Sequence, residues 1–258
     1  MEFEIGRAAT GSGKTWWAVL EVWRNGKWER YVGTVNWTRI SSRKRIGVIS
    51  VAASEFEEGT VLRYTLKPYR GRIVHYYYIV EGGEIREAGM EEVEKKVEIE
   101  GVEVTAVGAR IPGKIEDIWY YIVPQMGIAY DIEAARKAVK ELKERYRERI
   151  ERVNKAKPLL AKLVDRIPEW ADALNVSVHT FIESIYVTIR PVKKSKYGDK
   201  YYSKMHWSER DLEPDIADRL REIGLMEAIV LKTGEVMPVV SRDSGNYIIY
   251  EPVRKTSQ

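Results

Sequence analysis

The segment Lys193-Lys194-Ser195-Lys196-Tyr197-Gly198-Asp199, followed by Lys200, gathers four lysines around a tyrosine. Lysines at that density can neutralise phosphates, and Tyr197, Tyr201 and Tyr202 can pack on a sugar or a base. A second group is aromatic. Trp16, Trp17, Trp23, Trp28 and Trp37 crowd the first part of the chain, and Tyr76-Tyr77-Tyr78 follow. On a sheet with Arg and Lys nearby, such rings can stack on unpaired bases; they can equally serve as core and cross-strand pairs. Neighbours on a strand face opposite sides, so Trp16 and Trp17 imply an exposed ring unless both faces are covered. Chemistry is also excluded. The chain has no cysteine, so disulfides, thiolate catalysis and cysteine-ligated zinc are ruled out. Its three histidines, His75, His179 and His206, are far apart, so no metal site and no cofactor are expected.

The elements that must position these residues read as follows. Residues 1–126 form an antiparallel β domain, a barrel or a sandwich. Strands are predicted at 18–23, 28–35, 45–52, 60–67, 72–80, 96–99, 102–107 and 118–123. Asn25-Gly26 between apolar runs predicts a tight hairpin, because both turn residues need positive φ. Gly82-Gly83 and Glu100-Gly101 mark further turns. Residues 127–207 read as a helical arm and a compact helical unit. Asp131 caps a helix to about Lys155, with Ile132, Ala135, Val139, Leu142, Tyr146, Ile150 and Val153 on one face. Asp131 and Glu133 suit the positive end of that helix dipole. Pro158 predicts a break, with a second helix over 159–167 and a third opened by Pro168. Residues 208–258 form a small α/β tail: a helix over 214–223 stopped by Gly224, then strands at 226–231, 235–240 and 246–251. The fold class expected is therefore α+β.

Charged residues make up 32% of the chain, and glutamine occurs only as Gln125 and Gln258. That balance suits a thermophile, where ion-pair networks pay and labile side chains are scarce. An archaeal or bacterial genome, or a mobile element of one, is the expected source. The net charge of +4 permits a polyanionic partner without demanding one. No apolar run approaches the roughly 20 residues of a membrane helix. The opening Met1-Glu2-Phe3-Glu4-Ile5 lacks the basic start and apolar block of a signal peptide, so the cytoplasm is expected.

Two resemblances sharpen the reading. Residues 170–185 resemble a helix-turn-helix: Ala171 at the helix crossing, Leu174 and Val176 three and five positions on, and Asn175 at the left-handed turn. With the basic hairpin that follows, residues 159–207 resemble a winged helix DNA-binding domain. The resemblance implies that Ser177, His179, Thr180, Glu183 and Tyr186 face a DNA groove, while Lys193, Lys194, Lys196, Tyr197 and Lys200 hold the backbone. That groove face carries no Arg or Lys. Residues 8–15, Ala-Ala-Thr-Gly-Ser-Gly-Lys-Thr, resemble the Walker A loop. In that family Gly11 and Gly13 would let loop amides cradle phosphate, Lys14 would reach the terminal phosphates and Thr15 would hold magnesium. Against this, residues 2–7 alternate like a half-exposed strand and 16–23 run into the Asn-Gly hairpin, which reads as a hairpin tip. Asp131 and Glu133 with Ser177 and His179 also faintly resemble archaeal primase-polymerases.

The expectation is a non-catalytic protein that binds nucleic acid, double-stranded DNA by preference, in regulation or replication. A homodimer would form through the 131–155 helix. The alternatives are a P-loop NTPase acting on nucleic acid and a structural or assembly protein of a virus or mobile element.

Overall fold

The computed structural model describes residues 1–9, 16–42, 44–67, 72–112, 115–181, 184–207 and 209–253. It is mostly β, with 54% strand and 21% helix. The α+β expectation is corrected: the centre of the chain is not helical beyond one long helix, and no winged helix is evident. The chain divides into two units, one of residues 1–97 and 105–122, the other of 98–104 and 123–258.

The first unit is built on a half-barrel sheet. Its strands are β1 (Glu2–Ala9), β2 (Trp16–Arg24), β3 (Lys27–Arg30), β4 (Val35–Ser41), β5 (Lys44–Ser50), β6 (Val61–Lys67), β7 (Val74–Glu81) and β8 (Glu84–Glu87). They pair in the order β4-β5-β1-β2-β6-β7-β8, with β3 on β2. Phe3, Leu20, Val22, Ile49, Leu62 and Val80 form its core. Asn25 and Gly26 both take positive φ, 53° and 78°, so the expected hairpin turn is present. Then come β9 (Glu91–Ile99), β10 (Val102–Ile111), β11 (Ile115–Val123) and β12 (Gly127–Ala129), a sheet in the order β12-β11-β10-β9. Gly108 marks a bulge against β11: a Cβ there would stand 2.1 Å from the Asp117 carbonyl oxygen, so only glycine fits.

The second unit opens with α1 (Ile132–Leu160), where the Asp131 carboxylate accepts from the Ala134 amide at 2.7 Å as expected of the cap. The expected break at Pro158 falls instead inside the last turn, and a 3-10 turn at Ala161–Arg166 replaces the second helix. The third helix is absent. In its place stand β13 (Ala173–Phe181) and β14 (Ser184–Lys194), followed by β15 (Tyr201–Lys204), β16 (Arg210–Asp211), α2 (Pro214–Ile223), β17 (Glu227–Leu231), β18 (Val236–Ser244) and β19 (Tyr247–Pro252). The pairing runs β13-β17-β18-β19-β15-β14 and returns to β13, closing a six-stranded antiparallel barrel. Strands from 127–207 and from 208–258 therefore share one core. Closure leaves the ring without a free edge.

Strand period explains the error at 173–181. Leu174, Val176 and Val178 alternate with Asn175, Ser177 and His179, and β-branched residues at period 2 favour a half-covered strand. The apolar set faces out and packs with Val153, Ala156, Leu160, Leu163, Leu220 and Leu225 under the helices. The polar set faces the barrel interior. Asn175 sits mid-strand and is not among the positive-φ residues. The α1 stripe is likewise spent within the unit: Ala135, Val139, Leu142 and Val153 are buried, which removes the apolar face expected to make a homodimer. Among the described residues no helix is long and apolar enough to cross a membrane.

Candidate functional site

The structure separates the residues that the helix-turn-helix reading grouped. Ser177 and His179 point into the barrel, not toward a groove, because they share a face with buried Ala173 and Asn175. Tyr186 pairs across from His179, and their rings stack at 5.0 Å. Thr180 pairs with Ile185 near the end of the β13–β14 hairpin. Glu183 lies outside the described residues, as do Gly11, Gly13, Lys14 and Thr15. The strands flanking the Gly-Lys-Thr string, β1 and β2, are antiparallel neighbours, with Gly6 opposite Trp17. A Walker A loop instead joins a buried parallel strand to a helix.

The basic hairpin is where the sequence placed it. Lys193 pairs with Tyr202 and Lys194 with Tyr201, and the tip between carries Lys196, Tyr197 and Lys200. Tyr197 is 89% exposed. Behind the tip, on the outer face of the barrel, four rings form a chain that sequence reading missed. Trp170 meets Trp207 edge-on at 4.9 Å, Trp207 lies 6.1 Å from Tyr202, and Tyr202 meets Tyr247 at 5.8 Å. The Lys193 ammonium stands 5.9 Å over the Trp170 ring. Lys204 sits opposite Tyr247. Trp170, Met205 and Tyr247 are all exposed. Two acids temper the charge: Asp199 lies 4.0 Å from Lys194, and Glu251 pairs with Lys200 and Arg242. Burial alone would raise the Glu251 carboxyl, but those two cations outweigh it and hold it below the usual range. Residues 170, 202, 207 and 247 are spread over four segments, so no local pattern announces the chain of rings.

The barrel interior is the second site. One end is apolar, filled by Ala173, Val192, Tyr201, Ile229, Val239 and Tyr250. The other end is polar and opens into a cavity of about 260 Å³. On its floor, Asn175 Nδ2 donates to Glu227 Oε1 at 3.2 Å. The Ser177 hydroxyl stands 2.7 Å from Asn175 Oδ1 and 3.0 Å from Glu227 Oε1. The Ser177 hydroxyl can donate to either oxygen, and Glu227 Oε1 is an acceptor shared by Asn175 and Ser177. Burial pushes the Glu227 carboxyl up, against the opposing pull of Ser241, Ser177, Asn175 and Arg149. Nearer the mouth, Arg190 Nη2 donates to Glu209 Oε2 at 2.7 Å. The Thr188 hydroxyl donates to Glu209 Oε1, and His179 Nε2 lies 2.8 Å from Thr188 and 3.2 Å from Glu209. Burial would raise Glu209, but its bonds from Thr188 and Arg190 and the Arg190 charge hold it low. Arg190 Nη1 is buried without a hydrogen-bond partner. Among the described residues no group of three or more His, Asp or Glu could hold a metal ion.

No family model, curated protein or solved structure matches the chain.

Proposed function

We propose that the protein binds single-stranded nucleic acid, in the cytoplasm, along the outer face of the second unit's barrel. The observation that carries this reading is the chain of four rings, Trp170, Trp207, Tyr202 and Tyr247, with Lys193 over its first member, Lys204 opposite its last, and Lys194, Lys196 and Lys200 on the adjoining hairpin. Every base offers a flat face, so exposed rings bind unpaired strands with little regard to sequence, while lysines track the phosphates. The duplex preference expected from the sequence depended on a recognition helix. With β13 in its place and Ser177 and His179 turned inward, no recognition helix is present among the described residues, and the chain of rings favours the single strand. The reading includes no catalytic step.

The test is binding of labelled single-stranded DNA and RNA of roughly 20 nucleotides, and of the matching duplex, across a salt series. A base stacked on an aromatic side chain contributes about 1–3 kcal/mol, so a double variant, Trp170→Ala with Trp207→Ala, should lose at least tenfold in affinity. Changing Lys193, Lys194 and Lys196 to Ala should flatten the salt dependence, by about 0.7 in slope for each phosphate no longer neutralised. Absence of binding at low salt, or a duplex bound more tightly than the single strand, would overturn the proposal.

A further inference from the structure

The polar end of the barrel has the properties of a ligand site for a small uncharged molecule. Three observations define what it would accept. The first is charge. On the floor Arg190 is cancelled by Glu209, and burial pushes the Glu227 carboxyl toward its neutral form. The remaining charged lining groups, Arg242 and Asp243, stand at the solvent-exposed rim. A bare ion entering this floor would lose its hydration without a countercharge. The second is hydrogen-bonding capacity. Arg190 Nη1 is a buried donor with no acceptor, and a donor left so is unfavourable unless something fills it. The same cavity is lined by acceptors, the carboxyl oxygens of Glu227 and Asp243. The occupant must therefore both accept and donate. The third is shape. The cavity of about 260 Å³ holds one small molecule, and the Tyr250 ring and Ile248 give it one apolar wall.

A monosaccharide-sized polyol meets all three conditions. Its hydroxyls donate and accept, it carries no charge, and its C–H face suits an aromatic wall. We propose that the barrel interior binds a neutral polyhydroxyl compound of pentose or hexose size, seated on Arg190 and Glu227 and entering past His179 and Asp243. The inference is independent of the nucleic-acid reading, which concerns the outer face.

NMR on the full chain tests it, with ligand signals followed for binding and protein methyl signals for location, against a panel of pentoses, hexoses and linear polyols at millimolar concentration. Acetate, inorganic phosphate and glycine serve as charged competitors of similar or smaller size. At least one polyol should bind and shift the Ile248 methyl resonances while leaving those of outward-facing Val230 unmoved. Arg190→Met should weaken that binding by at least tenfold. Because Arg190 also pairs with Glu209, the variant's fold is checked by its amide spectrum, and the rim variant Asp243→Leu, which does not disturb the floor, should weaken the same polyol by at least threefold. Binding of no panel member would overturn the proposal. So would tighter binding of acetate, phosphate or glycine than of any polyol, or a polyol that leaves Ile248 unmoved.

Discussion

Each unit holds a buried polar network, and the two differ in whether they are closed. In the first unit the Asp117 carboxylate, 5% exposed, accepts from Arg63 Nη1 at 2.7–2.8 Å, from the Tyr77 hydroxyl at 2.6 Å and from Trp28 Nε1 at 3.0 Å. Trp119 Nε1 donates to the Tyr77 hydroxyl at 2.7 Å, and Arg63 reaches a second acid, Glu21, at 2.8 Å. The Arg63 guanidinium also lies 4.5 Å over the Trp28 ring. Val61, Ala109 and Ile111 pack beside these groups. In the second unit the Arg190–Glu209–Glu227 set surrounds open space, and Arg190 Nη1 has no partner. A buried charge with every bond made stiffens a core. A similar set with a bond left over and room beside it suits a binding site. The first network reads as structural and the second as functional.

The strongest way to break that contrast is at Asp117. Asp117→Ala would strand a buried phenol and an indole N–H and leave Arg63 with Glu21 as its only acid, and should cost about 3–5 kcal/mol in urea unfolding of the full chain. A cost below about 1 kcal/mol would show that water replaces the carboxylate and that the network is not closed.

The next effect has opposite sign in the second unit. Glu227 has its folded pKa raised above the unfolded value of 4.5. Its contribution is fully present below that pH and is lost as pH rises through the folded value. Glu227→Gln should therefore raise Tm at pH 8 by on the order of a few degrees, with the gain vanishing near pH 4. An equal change at both pH values would mean that the carboxyl ionises as it does in water.

The smallest effect sharpens the comparison from the first unit. His75 stacks on Trp119 at 5.5 Å and shares a hydrogen bond with Thr65 at 2.9 Å. Burial, with the nearby Arg63 charge, lowers its pKa from 6.5 to about 4. Above pH 6.5 the ring is neutral folded or unfolded, so it contributes no slope. Between 6.5 and about 4 the unfolded chain takes a proton that the native one refuses, so stability falls as pH falls. Amide protection factors on β6 and β7, corrected for the intrinsic pH dependence of exchange, should fall across that window in the wild type and much less in His75→Gln. The two units would then weaken at opposite ends of the pH scale. An unchanged acid slope in the variant would assign the effect to other groups.

Much of the first unit was legible because its signals are local. Strands alternate at period 2 between turn residues, and an Asn-Gly or Glu-Gly pair states its own backbone conformation. The basic hairpin at 193–200 was legible for the same reason. The helix-turn-helix expectation failed at Asn175, where one residue fits two accounts: a left-handed turn, or an inward polar position in a barrel strand. Leu174, Val176 and Val178 favoured the second account. The spacing of Ala171, Leu174 and Val176 matched the first by coincidence of small apolar residues.

By itself the sequence determined the turns at Asn25-Gly26 and Glu100-Gly101, the Asp131 cap, the Pro214 start and Gly224 stop of α2, and the exclusion of cysteine chemistry. Each follows from the steric or hydrogen-bonding capacity of residues within a few positions. Tertiary structure alone decided that β13 pairs with both β14 and β17. That closure sets Ser177 opposite Thr188 on one side and Glu227 on the other, and turns a polar strand face into the wall of a cavity. Pairing between strands about fifty residues apart depends on which faces bury together across the whole barrel. No spacing along the chain records it.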